Sequence, residues 1–172
     1  MENQLLELIK TRRSCRHYKA EQVSDKELNA VLEAGEYAPT GHGLQDPIIV
    51  AVQNDDIKAQ LARLNAQIMG VDSNPYYDAP TYVFSTKDNP NAFQDGSCVL
   101  ENMMLAAHAL GLGTCWINRE YQMFQTEEGK ELMKVLGVDE KYIGIGALSL
   151  GYASREARPA APRKEGRVKI VK

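Results

Sequence analysis

Residues 97–110 constrain the fold more than any other segment, because the helix they predict is apolar almost all the way round. Its apolar positions are Cys98, Val99, Leu100, Met103, Met104, Leu105, Ala106, Ala107 and Leu110. A helix with only a thin polar stripe must be covered on most of its sides. Asp95 is its predicted N-cap, and Gly111 and Gly113 end it. The sequence therefore favours a helix at the centre of the core or within the interface of an oligomer.

The rest of the chain alternates between helical and strand patterns. Helices are predicted over residues 5–10, 24–35, 57–68 and 127–136, the second of them opened by a capping box of Ser24 and Glu27. Strands are predicted over residues 47–52, which reads as buried, and over 81–85, 142–150 and 168–171. No internal repeat or Gly/Ser linker interrupts this order. We expect one α/β or α+β domain over residues 1–172, whose helices cover a small sheet that a second subunit completes.

Composition excludes several classes of protein. The 172 residues are 44% hydrophobic and 25% charged, and the net charge of −3 lacks the basic excess of a nucleic-acid-binding protein. No apolar run reaches the roughly 18 to 20 residues of a membrane span, and no signal peptide is recognisable, so we expect a cytoplasmic protein. The three cysteines and three histidines lack metal-ligand spacing, so we predict reduced thiols and no metal site.

Positive charge is concentrated at the two ends of the chain. Residues 1–19 carry a net charge of +3, residues 155–172 carry +5, and the segment between them carries −11. The ends are either ordinary solvated termini or parts of one site for an anionic ligand. Residues 11–16 place three guanidinium groups and two hydroxyls within six positions. That donor set suits a phosphate, although a solvated basic turn has the same composition.

Two further segments combine glycines with polar or aromatic side chains. Residues 38–45 follow a predicted helix and precede a strand, and residues 111–118 contain the only tryptophan of the chain. Glycines let a ligand approach the backbone closely, but either segment could be a simple connector. The sequence has no P-loop and no G-x-G-x-x-G after a strand, which argues against an NTPase and against a Rossmann dinucleotide domain. Cys115 has no assignable His and acid partner and is predicted to be a buried thiol.

Four segments, taken in chain order, resemble the FMN-dependent nitroreductase family. They are Arg12-Arg13-Ser14-Cys15-Arg16, residues 38–45, residues 102–117 and Pro162-Arg163-Lys164. Asp78-Ala79-Pro80 before a strand also fits, and the resemblance runs over about residues 4–167. It implies an α+β fold with a mixed sheet flanked by helices. It further implies an intertwined homodimer with two FMN sites at the interface, each built from both chains.

The resemblance also implies which residues bind FMN. Arg12, Ser14 and Arg16, with Arg163 or Lys164, would hold the phosphate, and Arg13 belongs to the same cofactor-binding segment. Pro39, Thr40 and Gly41 of the other subunit would lie against the flavin, with Gln45 nearby. Cys115, Trp116, Ile117 and Asn118 would face the isoalloxazine edge, where a backbone N–H stabilises negative charge on the reduced ring. No side chain is expected to be catalytic, because the cofactor carries the redox step.

The same resemblance implies an oxidoreductase that passes electrons from NADH or NADPH to small nitroaromatic or quinone-like acceptors by a ping-pong mechanism. Two alternatives keep the cofactor: an FMN carrier or sensor without turnover, and another flavin reaction such as reductive dehalogenation or ring dehydrogenation. A dimeric interaction module with solvated termini needs no cofactor. Gly43 stands where the family commonly has Asn. The short stretch from Phe93 to Asn118 predicts a substrate pocket that is open or is shaped by the partner.

Overall fold

The chain folds into helices that cover both faces of one sheet. A computed structural model describes residues 3–79, 81–86 and 89–172, with the backbone alone at 82–86, so Pro80 of the Asp78-Ala79-Pro80 motif lies outside the described residues. The helices are α1 Gln4–Thr11, α2 Asp25–Glu36, α3 Asp55–Met69, α4 Ala92–Ala109, α5 Glu120–Gln125 and α6 Glu127–Val135. The strands are β1 Ile48–Val52, β2 Thr81–Thr86, β3 Gly113–Ile117 and β4 Gly144–Gly151, and a 3-10 turn spans Gly41–Gly43.

Local signals set most of the helix ends. Ser24 and Glu27 form the predicted capping box at the start of α2. Gly70 ends α3 in the left-handed conformation, with φ at 71°, which a residue without Cβ adopts at little cost. Gly137, with φ at 72°, follows α6 in the same way. The helices predicted from these signals are confirmed.

The sheet has the strand order β1-β2-β4-β3, and its neighbouring strands run antiparallel. An isolated parallel bridge joins Ser14 to Thr114 of β3, so the pairing as a whole is mixed. All eight residues of β4 are buried, as expected for a strand with neighbours on both sides. β1 was predicted to be buried, but only Val52 is, because β1 lies at the edge of the sheet. The α+β fold class is confirmed.

Two apolar clusters form the core, one on each face of the sheet. The first contains Leu61 of α3, Ile117 of β3, and Met123 and Leu132 of α5 and α6. The second packs α2 and α4 against Leu148 and Leu150 of β4. Because side chains alternate along a strand, Ala147 joins the first cluster while Leu148 joins the second. One central strand therefore supports both layers of helices.

Helix α4 is longer than the sequence predicted. It begins at Ala92 with Asn91 as its N-cap, so the prediction that Asp95 caps it is wrong. The carboxylate of Asp95 instead accepts a hydrogen bond from the backbone N–H of Gly41, 54 residues away. The expected burial is confirmed at five of the nine apolar positions, namely Val99, Leu100, Met103, Met104 and Ala107. Cys98, Leu105 and Ala106 are only half-buried, and Leu110 is exposed. Among the helices in the described ranges, none is long and apolar enough to cross a membrane.

The sequence missed one strand and one helix and placed one strand wrongly. β3 lies within the segment that we interpreted as a glycine-rich turn, and the short α5 was not predicted. The strand predicted over residues 168–171 is wrong, because that segment has no partner strand in the part of the chain described and exposes its apolar side chains. A β-rich composition does not make a strand where no neighbour supplies the hydrogen bonds.

Candidate functional site

The basic N-terminal segment runs along the free edge of β3. After α1 ends at Thr11, the backbone N–H of Cys15 donates a hydrogen bond to the carbonyl oxygen of Thr114 at 2.7 Å. Tyr18 continues the segment by bridging to Ala153, just beyond β4. This pairing fixes residues 12–18 in an extended form at the sheet edge, where the arginine side chains gather.

We call Arg12, Arg13, Ser14 and Arg16 the arginine cradle. Within the described ranges, Arg12 Nη1 and Arg13 Nε are buried and have no hydrogen-bond partner. Arg13 also donates from Nη1 to the carbonyl oxygen of Lys10 at 2.7 Å, which completes the last turn of α1. Buried cationic N–H groups without an acceptor are costly. The cradle is therefore suited to bind an anion.

Arg16 is held by an aromatic side chain that the sequence analysis did not single out. Its Nε donates to Tyr77 Oη at 3.3 Å, and its guanidinium carbon lies 5.8 Å from the centre of the Tyr77 ring. The hydrogen bond to Tyr77 raises the pKa of Arg16 above its ordinary value. Tyr77 and Asp78 both adopt positive φ, at 58° and 54°. The strained turn of Tyr77 thus orients one arginine of the cradle.

The C-terminal basic segment reaches the cradle through different residues from those predicted. Arg155 and Arg158 line a cavity of about 760 Å³ together with Arg13, Ser14 and Arg16. Arg163 and Lys164, the predicted phosphate ligands, are exposed and do not line it. The +5 charge of residues 155–172 was the signal, but charge alone does not specify which residue of an extended tail passes the site.

His108 lies beside the arginine cradle. His108 Nε2 lies 2.9 Å from Thr11 Oγ1, and burial together with Arg12 and Arg13 holds the pKa of His108 below its ordinary value. At neutral pH His108 therefore adds no positive charge to the cradle and makes a local hydrogen bond instead.

The residues of β3 divide between the core and a second cavity. Cys115 and Ile117 are 3% and 4% exposed and point into the core, so they can offer a ligand only their backbone. Burial raises the pKa of the Cys115 thiol, in agreement with the predicted buried cysteine. Trp116 and Asn118 instead line an open cavity of about 490 Å³ with Phe93, Ser97, Tyr121, Gln122 and Ile145. Trp116, Phe93 and Tyr121 thus give this cavity an aromatic lining at the end of β3.

The segment of residues 39–45 is a tightly held loop. The N–H of Gly41 donates to the buried carboxylate of Asp95 at 3.0 Å, and Thr40 Oγ1 accepts from the N–H of Gln45 at 2.9 Å. His42 and Gln45 both have φ at 54°. Thr40 and Gln45 line a third cavity, of about 400 Å³, which shares no lining residue with the other two. The three predicted site segments therefore do not meet in one cavity of a single chain.

A buried polar network lies behind Asn118. Tyr76 Oη donates to Glu120 Oε1 at 3.0 Å, and Asn65 Nδ2 lies within hydrogen-bond distance of both Tyr76 Oη and Glu120 Oε1. Asn65 and Glu120 are fully buried. Burial raises the pKa of Glu120 from 4.5 to about 7. Sequence reasoning missed this network because 55 residues separate its two ends.

Comparison with known proteins agrees with this arrangement. The sequence model described as the nitroreductase family matches residues 9–152. A protein of Archaeoglobus fulgidus, provisionally named an NADH dehydrogenase/NAD(P)H nitroreductase, is 30% identical over 156 residues, which cover 88% of this chain and 86% of that protein.

Solved structures share the whole fold. A Bacteroides fragilis nitroreductase with bound FMN matches with a TM-score of 0.92 and 33% identity, covering 99% of this chain and all of that one. A Desulfitobacterium hafniense nitroreductase with bound FMN matches with a TM-score of 0.89 and 25% identity, and both chains are covered in full. The chain is therefore similar along its length to FMN-bound proteins.

Replacing Glu120 with Gln should change how stability depends on pH. Glu120 binds its proton more tightly in the folded protein, so its contribution is fully present below pH 4.5 and is lost as pH rises through about 7. The free energy of unfolding of the wild type, relative to Glu120→Gln, should fall by roughly 3 kcal/mol over this range. Urea unfolding at a series of pH values measures it, with the exposed Glu101→Gln as control. Parallel curves for wild type and Glu120→Gln would contradict the assigned protonation.

Proposed function

The chain belongs to the nitroreductase family, and we propose that it is an FMN-dependent oxidoreductase that passes electrons from NADH or NADPH to small nitroaromatic or quinone-like acceptors. The relative from Archaeoglobus fulgidus has a name that includes NAD(P)H nitroreductase, and the two structures described above contain FMN. These names support both the cofactor and the electron donor.

The observation that carries the proposal is the pair of unpartnered guanidinium nitrogens in the arginine cradle. Arg12 Nη1 and Arg13 Nε are buried donors, Ser14 adds a hydroxyl, and Tyr77 orients Arg16 beside them. A phosphate monoester offers several anionic acceptors to such a cluster. The residues present therefore fit the phosphate of FMN. Arg155 and Arg158 add positive charge to the cavity that Arg13, Ser14 and Arg16 line, whereas Arg12 does not line it.

The protein contributes binding and orientation. The chemistry that FMN supplies when bound is two-electron transfer between a nicotinamide nucleotide and an acceptor. Trp116 and Asn118 line the open cavity that follows the cradle along β3, so they would flank a bound flavin. The backbone N–H groups at the end of β3 would stabilise negative charge at the flavin edge. Donor and acceptor use one open cavity in turn, which gives ping-pong kinetics.

A second subunit completes the site in this proposal. Residues 39–41 and the pair Arg163 and Lys164 do not line the cavity of the cradle in their own chain, so a homodimer is proposed to deliver them from its partner. Exposed apolar side chains support such an interface, since Leu5, Leu6 and Ile9 of α1 are each at least 50% exposed. In each subunit the hydrogen bond between Gly41 and Asp95 would hold the loop of residues 39–45 in the conformation that contacts the partner's flavin.

The flavin spectrum tests the proposal. Protein supplemented with FMN and then desalted should keep visible flavin bands that bleach when NADH or NADPH is added without oxygen, because a bound flavin takes up the hydride. The nucleotide that bleaches the bands faster is the preferred donor, and a nitroaromatic or quinone should restore them. Retained bands that neither nucleotide bleaches would favour an FMN carrier. Absent bands would contradict the cofactor.

Replacing Arg16 with Ala should weaken FMN binding much more than it weakens folding. The substitution removes a charge-assisted contact to the phosphate, which corresponds to about 1.5 to 3 kcal/mol, or roughly a 10- to 150-fold rise in Kd. Fluorescence titration of FMN measures the effect. Arg63→Ala, which removes only the surface ion pair with Glu128, is the control. An unchanged Kd for Arg16→Ala would remove Arg16 from the site.

A further inference from the structure

We propose that Asn65 and Glu120 are positioning residues that fix the turn of residues 118 and 119. Under the proposed function this turn lies at the flavin edge, so the inference rests on that function. Both side chains are fully buried, so neither can touch a substrate. Asn65 acts through its hydrogen bonds to the turn, and Glu120 acts through its contact with Asn65.

Asn65 holds the turn with both ends of its amide. Its Oδ1 accepts a hydrogen bond from Arg119 Nε at 2.8 Å. Its Nδ2 donates to the carbonyl oxygen of Asn118 at 3.1 Å. One side chain of α3 therefore grips the backbone of one turn residue and the side chain of the next.

The turn needs such a grip because its backbone is strained. Arg119 has φ at 89°, in the left-handed region that residues with a side chain rarely adopt. This conformation lies between the end of β3 and the start of α5, and it sets the direction in which the N–H groups of the turn point. Without Asn65, the turn is free to relax toward an ordinary φ. The donors would then lose their alignment with the flavin edge.

Glu120 and Tyr76 fix which way the amide of Asn65 faces. Tyr76 Oη donates to Glu120 Oε1 at 3.0 Å, and Asn65 Nδ2 lies 3.2 Å from Tyr76 Oη and 3.4 Å from Glu120 Oε1. With Nδ2 facing these oxygens, Oδ1 must face Arg119. A reversed amide would place oxygen against the carbonyl of Asn118. The carboxyl of Glu120 and the carbonyl of Asn118 therefore both favour the amide orientation that holds the turn.

Changing the charge of Glu120 tests whether this carboxyl controls how Asn65 holds the turn. The groups at the Glu120 carboxyl are Tyr76, from the loop that follows α3, and Asn65 of α3. Gly144 of β4 packs against the main chain and Cβ of Glu120. Arg119 is the nearby positive charge, and burial still raises the pKa of Glu120 to about 7. Within the described ranges, Oε2 has no hydrogen-bond partner. When Glu120 ionises, its negative charge attracts the guanidinium of Arg119. This attraction competes with the hydrogen bond from Arg119 to Asn65 Oδ1 and loosens the turn as pH rises.

The experiment compares Asn65→Ala and Glu120→Gln with the wild type in the FMN-loaded protein. Asn102→Ala is the matched control, because Asn102 also ties a helix to a backbone carbonyl, that of Ala34 at 3.0 Å, but lies outside the proposed site. The measurements are the rate constant of flavin reduction at saturating NADH or NADPH, the midpoint potential of bound FMN, and the FMN Kd, each from about pH 6 to about pH 8. Urea midpoints confirm that each variant is folded.

Asn65→Ala should lower the rate constant by at least about tenfold and make the midpoint potential more negative, while the FMN Kd stays within about threefold. The wild-type rate constant should fall as pH rises through about 7, whereas Glu120→Gln should keep its low-pH rate constant at every pH. Asn102→Ala should match the wild type in all three quantities. A role in stability alone would move the urea midpoints and leave the potential unchanged.

The outcomes separate this inference from the proposed function. If the wild-type flavin is reduced and Asn65→Ala has the same rate constant and potential, the inference is overturned and the function stands. The same holds if Glu120→Gln keeps the pH profile of the wild type. A wild-type protein that binds no FMN, or whose FMN neither nucleotide reduces, would overturn the function and the inference together. Because Gln has the shape of Glu, the second variant decides the question even if Asn65→Ala does not fold.

Discussion

The pairing of residues 14–18 with the free edge of β3 is the contact on which the rest of the site depends. It brings arginines from the N-terminal segment and from the tail to one side of the sheet, since Ser154 N–H also bonds to the carbonyl of His17 at 2.9 Å. Gly113 makes this approach possible. A Cβ at that position would lie 2.8 Å from Cys15 Sγ, closer than real contacts allow. A glycine first noticed as a helix terminator is thus also required for the site.

Two neighbouring tyrosines connect the exposed and the buried parts of the site. Tyr76 is fully buried in the core and bonds to Glu120, whereas Tyr77 is half-buried at the border of the core and bonds to Arg16. Ser149 of β4 donates to the carbonyl oxygen of Tyr76 at 2.9 Å and anchors the turn between them. The strained turn at Tyr77 therefore orients Arg16 of the cradle. Through Tyr76, the same turn also orients the carboxyl of Glu120, which lies behind residues 118 and 119. The arginine cradle and the buried polar network behind Asn118 therefore depend on the same turn.

The sequence predicted what depends on neighbouring residues and missed what depends on distant ones. Helices α2 and α3 were predicted because Ser24, Glu27 and Gly70 act within one turn of the helix. β3 was missed because its identity as a strand comes from β4, some thirty residues later in the chain. Asp95 fits the pattern of a cap, and only the fold shows that its carboxylate serves Gly41. The cradle was predicted because its residues are contiguous, while Tyr77 and Asn65 gave no local signal.

The affinity for FMN compared with riboflavin tests most directly whether the segment paired with β3 binds a phosphate. The two flavins differ only in the phosphate group, so any contribution of the cradle appears as a difference between their Kd values. We predict that FMN binds at least about a hundredfold more tightly, and that inorganic phosphate weakens FMN binding but not riboflavin binding. Equal Kd values for the two flavins would contradict the account.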